Sequence, residues 1–132
     1  MEGALKGRGD SPKRGQAKPR AVPVAEYDIQ MYTLPSGKVP FESWLLGLRD
    51  PRARARIRVR IDRMQSGNFA DRRSVGNGVY ELRIDHGPGF RVYYALADKG
   101  MVLLLAGGDK SSQSADIATA IGYWKDYKIH RA

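Results

Sequence analysis

The chain contains no cysteine. That excludes disulfides, thiolate-bound zinc, iron–sulfur clusters and cysteine nucleophiles. Histidine is almost as scarce: His86 and His130 are the only two, too few for a histidine-rich metal site. No apolar run approaches the roughly 18 residues that suggest a membrane span. The first residues lack the apolar centre of a secretory signal. These absences together predict a cytoplasmic protein with no membrane association, no metal and no cofactor. What the chain has in quantity is positive charge. Its 23 lysines and arginines stand against 14 acidic residues, a net charge of +9 over 132 residues. Such a balance favours a polyanionic partner, either nucleic acid or an acidic protein. At about 100–200 residues per domain, the length corresponds to one domain.

The charge is unevenly placed. Residues 1–25 carry Lys6, Arg8, Lys13, Arg14, Lys18 and Arg20 against Glu2 and Asp10, among four glycines and three prolines. Apolar residues there are scattered without period and bury too little surface to offset the entropy of ordering. This segment is expected to be a disordered basic extension, either an arm for a polyanion or a leader without function. Residues 26–132 are expected to form the folded domain.

Within that domain, residues 26–33 alternate and predict a half-buried strand, with Tyr27, Ile29 and Met31 inward. Phe41, Trp44, Leu45 and Leu48 fall on one helical face, behind Pro40. Asp50 and Pro51 then fit the N-cap and first position of a second helix. Residues 52–61 alternate arginine with apolar residues, which alone is a strand pattern. Ala53, Ile57, Ile61 and Met64 also form a helical stripe, and the Asp-Pro start and Gly67 stop favour a helix with its arginines around the polar side. These arginines either contact a polyanion or form a solvated basic face. Residues 67–78 are expected to be a loop. Strands follow at 79–85, 90–97 and 101–106, then a final helix over about 111–127. The order β-α-α-β-β-β-α predicts an α+β domain: a twisted, mainly antiparallel sheet with the helices packed on one face.

The hairpin around His86-Gly87-Pro88-Gly89 places side chains by parity. Pairing Asp85 with Arg91 sets Arg83 opposite Tyr93 and Ile84 opposite Val92. One open sheet face then gathers Glu81, Arg83, Asp85, Arg91 and Tyr93. Guanidinium forks match phosphate oxygens, and a tyrosine can stack on a base. The plainer alternative is cross-strand ion pairing on a solvated face. Gly107-Gly108-Asp109-Lys110-Ser111 is expected to be a strand-to-helix turn, either an anion cradle or an ordinary cap. It lacks P-loop spacing.

The motifs DPRARARI, VYELRID, GPG followed by FRVYY, LLLAGGDKSSQ and DIATAIGYWKDYK resemble the RelE/HigB superfamily. The resemblance is to the branch termed addiction module killer proteins, toxins of bacterial type II toxin–antitoxin systems, and covers about residues 26–128. It implies a microbial-ribonuclease-type fold and an endoribonuclease that cleaves mRNA on the ribosome and is neutralised by a cognate antitoxin. It also implies metal-independent attack of a ribose 2′-OH on the adjacent phosphate. Carried over by motif, Arg83, Arg91, Lys110 and Tyr93 are the catalytic candidates: the arginines on the scissile phosphate, Lys110 as a phosphate or proton-transfer contact, and Tyr93 orienting or stacking on a nucleotide. Arg73, Asp85, His86 and Lys128 are the RNA-binding candidates, with Asp85 and His86 rivals to Lys110 as general base. The tail also offers Tyr127 and His130. Some superfamily members instead poison DNA gyrase, which leaves a non-enzymatic protein binder, or a homologue that binds only antitoxin or nucleic acid, as the alternatives.

Overall fold

Two prolines open the first two helices, where a missing N–H costs nothing. In the computed structural model, which describes residues 26–131, α1 spans Pro40–Gly47 and α2 spans Pro51–Gln65. The Asp50 carboxylate caps α2 by accepting from the Arg52 backbone N–H at 2.9 Å. Ala53, Ile57 and Met64 are buried and Ile61 partly so, and the helix stops at Gly67 with φ +84°. The helical stripe therefore prevails over the alternation. The expected basic extension, residues 1–25, lies outside the described residues.

Five strands form one mixed sheet: β1 (Asp28–Met31), β2 (Arg72–Gly76), β3 (Val79–Ile84), β4 (Phe90–Ala97) and β5 (Met101–Asp109). Their spatial order is β1-β5-β4-β3-β2. β1 runs parallel to β5, and the other neighbours are antiparallel. A 3-10 turn at Lys110–Ser112 leads into α3 (Gln113–Arg131).

Several expectations need correction. The stretch 67–78 is not all loop, because it contains β2. That strand is an edge with mostly exposed residues, so it shows no apolar alternation. Its signal was Asn77-Gly78, a two-residue hairpin turn with both φ values positive. The helices are not on one face. α1 and α2 cover Leu82, Ile84, Val92, Tyr94, Val102 and Leu104, whereas α3 covers Val79, Tyr93, Ala95, Leu103 and Leu105. β5 is apolar at both parities, and a strand apolar on both sides must be covered on both. The hairpin register is also offset by two residues. Arg83 faces Arg91, Glu81 faces Tyr93 and Ile84 faces Phe90. The turn closes earlier because Gly87 and Gly89 take positive φ and the Gly89 N–H bonds to the His86 carbonyl at 3.0 Å. Finally, Met31 is not inward: it is exposed, while Tyr32 enters the second core.

Gly107 and Gly108 are strand residues rather than a turn. β5 runs through them, pairing Gly107 with Val92 and Gly108 with Arg91. A Cβ at Gly107 would fall inside the Trp44 indole of α1, and one at Gly108 would fall on the Asp116 carboxylate of α3. Adjacent residues of a strand point to opposite faces. The two glycines therefore let a helix approach closely on each side.

Candidate functional site

Cross-strand register brings like charges together at one end of the sheet. Arg83 of β3 lies directly opposite Arg91 of β4. Such a pair is unfavourable unless something anionic sits between or beside it. Beside it opens a groove of about 710 Å³. It is lined by Arg72 and Arg73 of the β2 edge, by Arg83 and Arg91, and by the hairpin residues Gly87 and Gly89. Lys110, on the turn after β5, completes the rim. Asp71 and Asp85 are the acidic lining residues.

Beneath the arginines lies a carboxylate. Glu81 is fully buried, with 0 % exposure. Its Oε1 accepts from Arg73 Nε at 3.0 Å and lies 3.6 Å from Arg91 Nε. Its Oε2 accepts from the Tyr93 hydroxyl at 3.2 Å and from Gln113 Nε2 at 2.8 Å. Burial alone would push the Glu81 carboxyl up. The hydrogen bonds from Gln113 and Arg73, the Arg73 charge and the Tyr93 hydroxyl together outweigh burial and hold it below its ordinary value. Tyr93 moves the other way: burial, then the neighbouring Glu81 charge, pushes its phenol up. Glu81 is thus the anion and Tyr93 the neutral donor at neutral pH.

The groove gathers Arg83, Arg91, Lys110, Arg73 and Asp85 from the candidates. It does not gather the others. Tyr93 has 0 % exposure and spends its hydroxyl on Glu81, so it does not stack on a ligand. The sheet face expected to be open is covered here by the start of α3. The His86 Nε2 lies 3.0 Å from Asp50 Oδ2 and its ring stacks on Phe90, joining the hairpin to the start of α2. It is not part of the groove lining. Lys128 projects from the far part of α3, its Nζ 5.1 Å from the Trp124 ring centre. Tyr127 and His130 line a separate cleft with Tyr32 and Asp126.

Sequence reasoning missed Arg72, Gln113 and the role of Glu81. The Arg72 guanidinium lies over the Tyr80 and Phe69 rings, at 4.7 and 5.2 Å. Its position followed from β2, which was expected to be loop. The arginines of α2 were expected to form a basic face, but Arg60 faces inward. Its Nη1 donates to the Arg83 carbonyl at 3.0 Å and its Nη2 to the Ala70 carbonyl. It ties the strand that carries Arg83 to the loop that leads into β2. Asp109 caps the 3-10 turn, accepting from the Ser111 N–H at 2.8 Å, which leaves Lys110 exposed on the rim.

A small α+β domain with a cation-lined groove at the end of a hairpin defines a protein that can hold an anionic ligand. Residues 43–121 match the model of a family described as phage-derived protein Gp49-like (DUF891). The chain belongs to that family, an addiction-module toxin-like family. The matched region contains every residue of the groove. A Haemophilus influenzae protein described as uncharacterized is 52 % identical over 80 residues, which is 61 % of this chain and 81 % of that one. Among the described residues, no helix is long and apolar enough to cross a membrane.

Proposed function

We propose that the chain is the toxin of a type II toxin–antitoxin module of the RelE/HigB kind, a metal-independent endoribonuclease that cleaves mRNA on the ribosome in the cytoplasm. The observation that carries this reading is the facing Arg83–Arg91 pair on a groove also rimmed by Lys110. Membership of a toxin-like family supports the same reading and implies a cognate antitoxin as partner.

The reaction is attack of a ribose 2′-oxygen on the adjacent phosphorus, with cleavage of the P–O5′ bond. It gives a 2′,3′-cyclic phosphate and a 5′-hydroxyl. Charge gathers on the non-bridging oxygens as the fifth bond forms. Arg83, Arg91 and Lys110 meet that charge from fixed positions without reorganising. Loss of one such contact costs about 3–4 kcal/mol of transition-state stabilisation. The 2′-proton needs an acceptor and the 5′-oxygen a donor. Asp71, Asp85 and Lys110 line the groove, and we assign these roles to Asp85 and Lys110, whereas His86 is engaged with Asp50.

The test adds the purified protein to a bacterial translation extract and maps mRNA 5′ ends. New ends are expected within translated codons, bearing 5′-hydroxyls. Arg83→Ala is expected to lower cleavage by about 10²–10³. Intact mRNA with active ribosomes and a folded toxin overturns the nuclease reading. Loss of gyrase supercoiling would then identify a protein-binding toxin.

A further inference from the structure

The groove arginines are not independent. Arg73 comes from the sheet edge and Arg91 from β4, yet both present Nε to the same oxygen, Glu81 Oε1. Nε is the elbow of a guanidinium. A carboxylate held there leaves the two Nη groups to point onward, and both side chains line the groove. The other Glu81 oxygen is fixed by Tyr93 and Gln113, so the carboxylate cannot rotate freely. Arg91 Nε is buried and makes no hydrogen bond, so its tie to Glu81 is one of charge. Gly89 stands next to its outer end: a Cβ there would lie 3.6 Å from Arg91 Nη1. A buried carboxylate that served only stability would be a costly choice beside an apolar side chain of similar volume. One that sets two arginines at once has a geometric reason to be there.

We propose that Glu81 is a positioning residue that locks Arg73 and Arg91 into a two-guanidinium clamp on a single phosphate group. The inference rests on reading the groove as a phosphate site. It adds Arg73 to the groups that touch the phosphate and gives the buried acid a role in the chemistry. The two arginines and Glu81 together keep a net positive charge, and a phosphodiester brings one negative charge to it. The Nη faces match phosphate oxygens in pairs.

The clamp makes a prediction opposite in sign to simple electrostatics. Removing a negative charge next to a phosphate site should tighten phosphate binding by Coulomb's law. If Glu81 positions the arginines, Glu81→Gln weakens it instead. The experiment titrates inorganic phosphate into the full chain, labelled with ¹⁵N, and follows the arginine Nε–H resonances. In the parent, the Arg73 and Arg91 signals are expected to move together along one binding curve. Glu81→Gln is expected to weaken phosphate binding and uncouple the two signals. If Glu81→Gln does not fold, Arg73→Lys, Arg91→Lys and the double variant replace it. Their effects on the phosphate dissociation constant should then be coupled by on the order of tenfold, since the two act as a unit. Movement of one arginine or neither, tighter binding in Glu81→Gln, or independent effects of the two lysine variants overturns the clamp. RNA cleavage is measured in parallel. A chain that binds phosphate through both arginines but leaves RNA intact refutes the nuclease reading and keeps the clamp. A chain that cleaves equally well as Glu81→Gln and Arg73→Lys keeps the nuclease and refutes the clamp.

Discussion

Glycine-to-alanine substitutions at two positions should have opposite signs. At Gly107 an added Cβ would enter the space of the Trp44 ring. Trp44 cannot simply swing away. Its indole packs against Phe41 and Phe90, with centroid separations of 5.7 and 6.2 Å. Accommodating the methyl means moving α1 outward or bending β5, and overpacking of this kind costs about 1–3 kcal/mol. In a domain of this size each kcal/mol is worth about 4–8 °C, so Gly107→Ala should lower the midpoint by roughly 5–20 °C. Gly122 sits within α3 with nothing within 4 Å of an added Cβ. There the gain in helix propensity dominates, and Gly122→Ala should stabilise by about 0.5–1 kcal/mol. Thermal unfolding followed by circular dichroism reads both. The double variant Gly107→Ala with Trp44→Ala isolates the cause, because without the indole most of the cost of the methyl should vanish. A Gly107→Ala protein as stable as the parent, or one whose loss persists without Trp44, would refute the close-approach argument.

Arg60→Ala removes the donors to the Arg83 and Ala70 carbonyls from a side chain that is 15 % exposed, and should cost about 1–3 kcal/mol in urea unfolding. It should also lower RNA cleavage, because the strand end carrying Arg83 is loosened. Burial, then the hydrogen bond to Asp126 and its charge, pushes the Tyr32 phenol up to about 12 from its ordinary value of 10.0. The folded state therefore keeps a proton that the unfolded chain releases. The associated stability is complete below pH 10 and is lost as pH rises through about 12. Tyr32→Phe should reduce the alkaline loss measured by denaturation between those limits and leave the share of Tyr93 and Tyr94, whose phenols burial also pushes up; an unchanged slope would show that Tyr32 contributes none of it. Asp50 is held below the usual carboxylate value by its hydrogen bonds with His86 and the Arg52 N–H. Its contribution is present above the ordinary carboxylate range and is lost as pH falls through its lowered value. Asp50→Asn should reduce the acid dependence of unfolding, measured by titration below pH 5.

The elements legible in the sequence were those whose burial leaves a period. Phe41, Leu45, Ala53, Ile57 and Met64 mark two helix faces because each face meets only one core. β3 and β4 were legible because Tyr80, Leu82 and Ile84, and Val92 and Tyr94, alternate on the face that α1 and α2 cover. β2 was not, since an edge strand held by backbone pairing needs no inward face. The side on which α3 packs was written in β5, where Val102 and Leu104 enter one core and Leu103 and Leu105 the other. A run of that kind fixes the number of covered faces but not which helix covers them. Gly107 and Gly108 misled for a related reason. Outside a turn, a glycine reports what approaches it, and Trp44 and Asp116 lie more than 60 and fewer than 10 residues away along the chain.

Parity found Arg83 and Arg91 even though the register was wrong, because an offset of two residues leaves every side chain on its own face. What parity could not give was depth. Glu81, Arg83, Arg91 and Tyr93 share a face, yet Glu81 and Tyr93 have no exposure and Arg83 is exposed. That gradient comes from α3, which crosses the sheet at Gln113 and stops short of Arg83. An alternating strand pattern records two sides and no such boundary. The acid in VYELRID is therefore ambiguous as a string: on the solvent side it would be a surface ion pair of little energetic weight. Under α3 the same carboxylate must be compensated, and the groups that compensate it are the arginines that face the groove. Burial of one residue thus turns a cross-strand charge pattern into a candidate site, and that burial is set by a helix about 30 residues further along the chain.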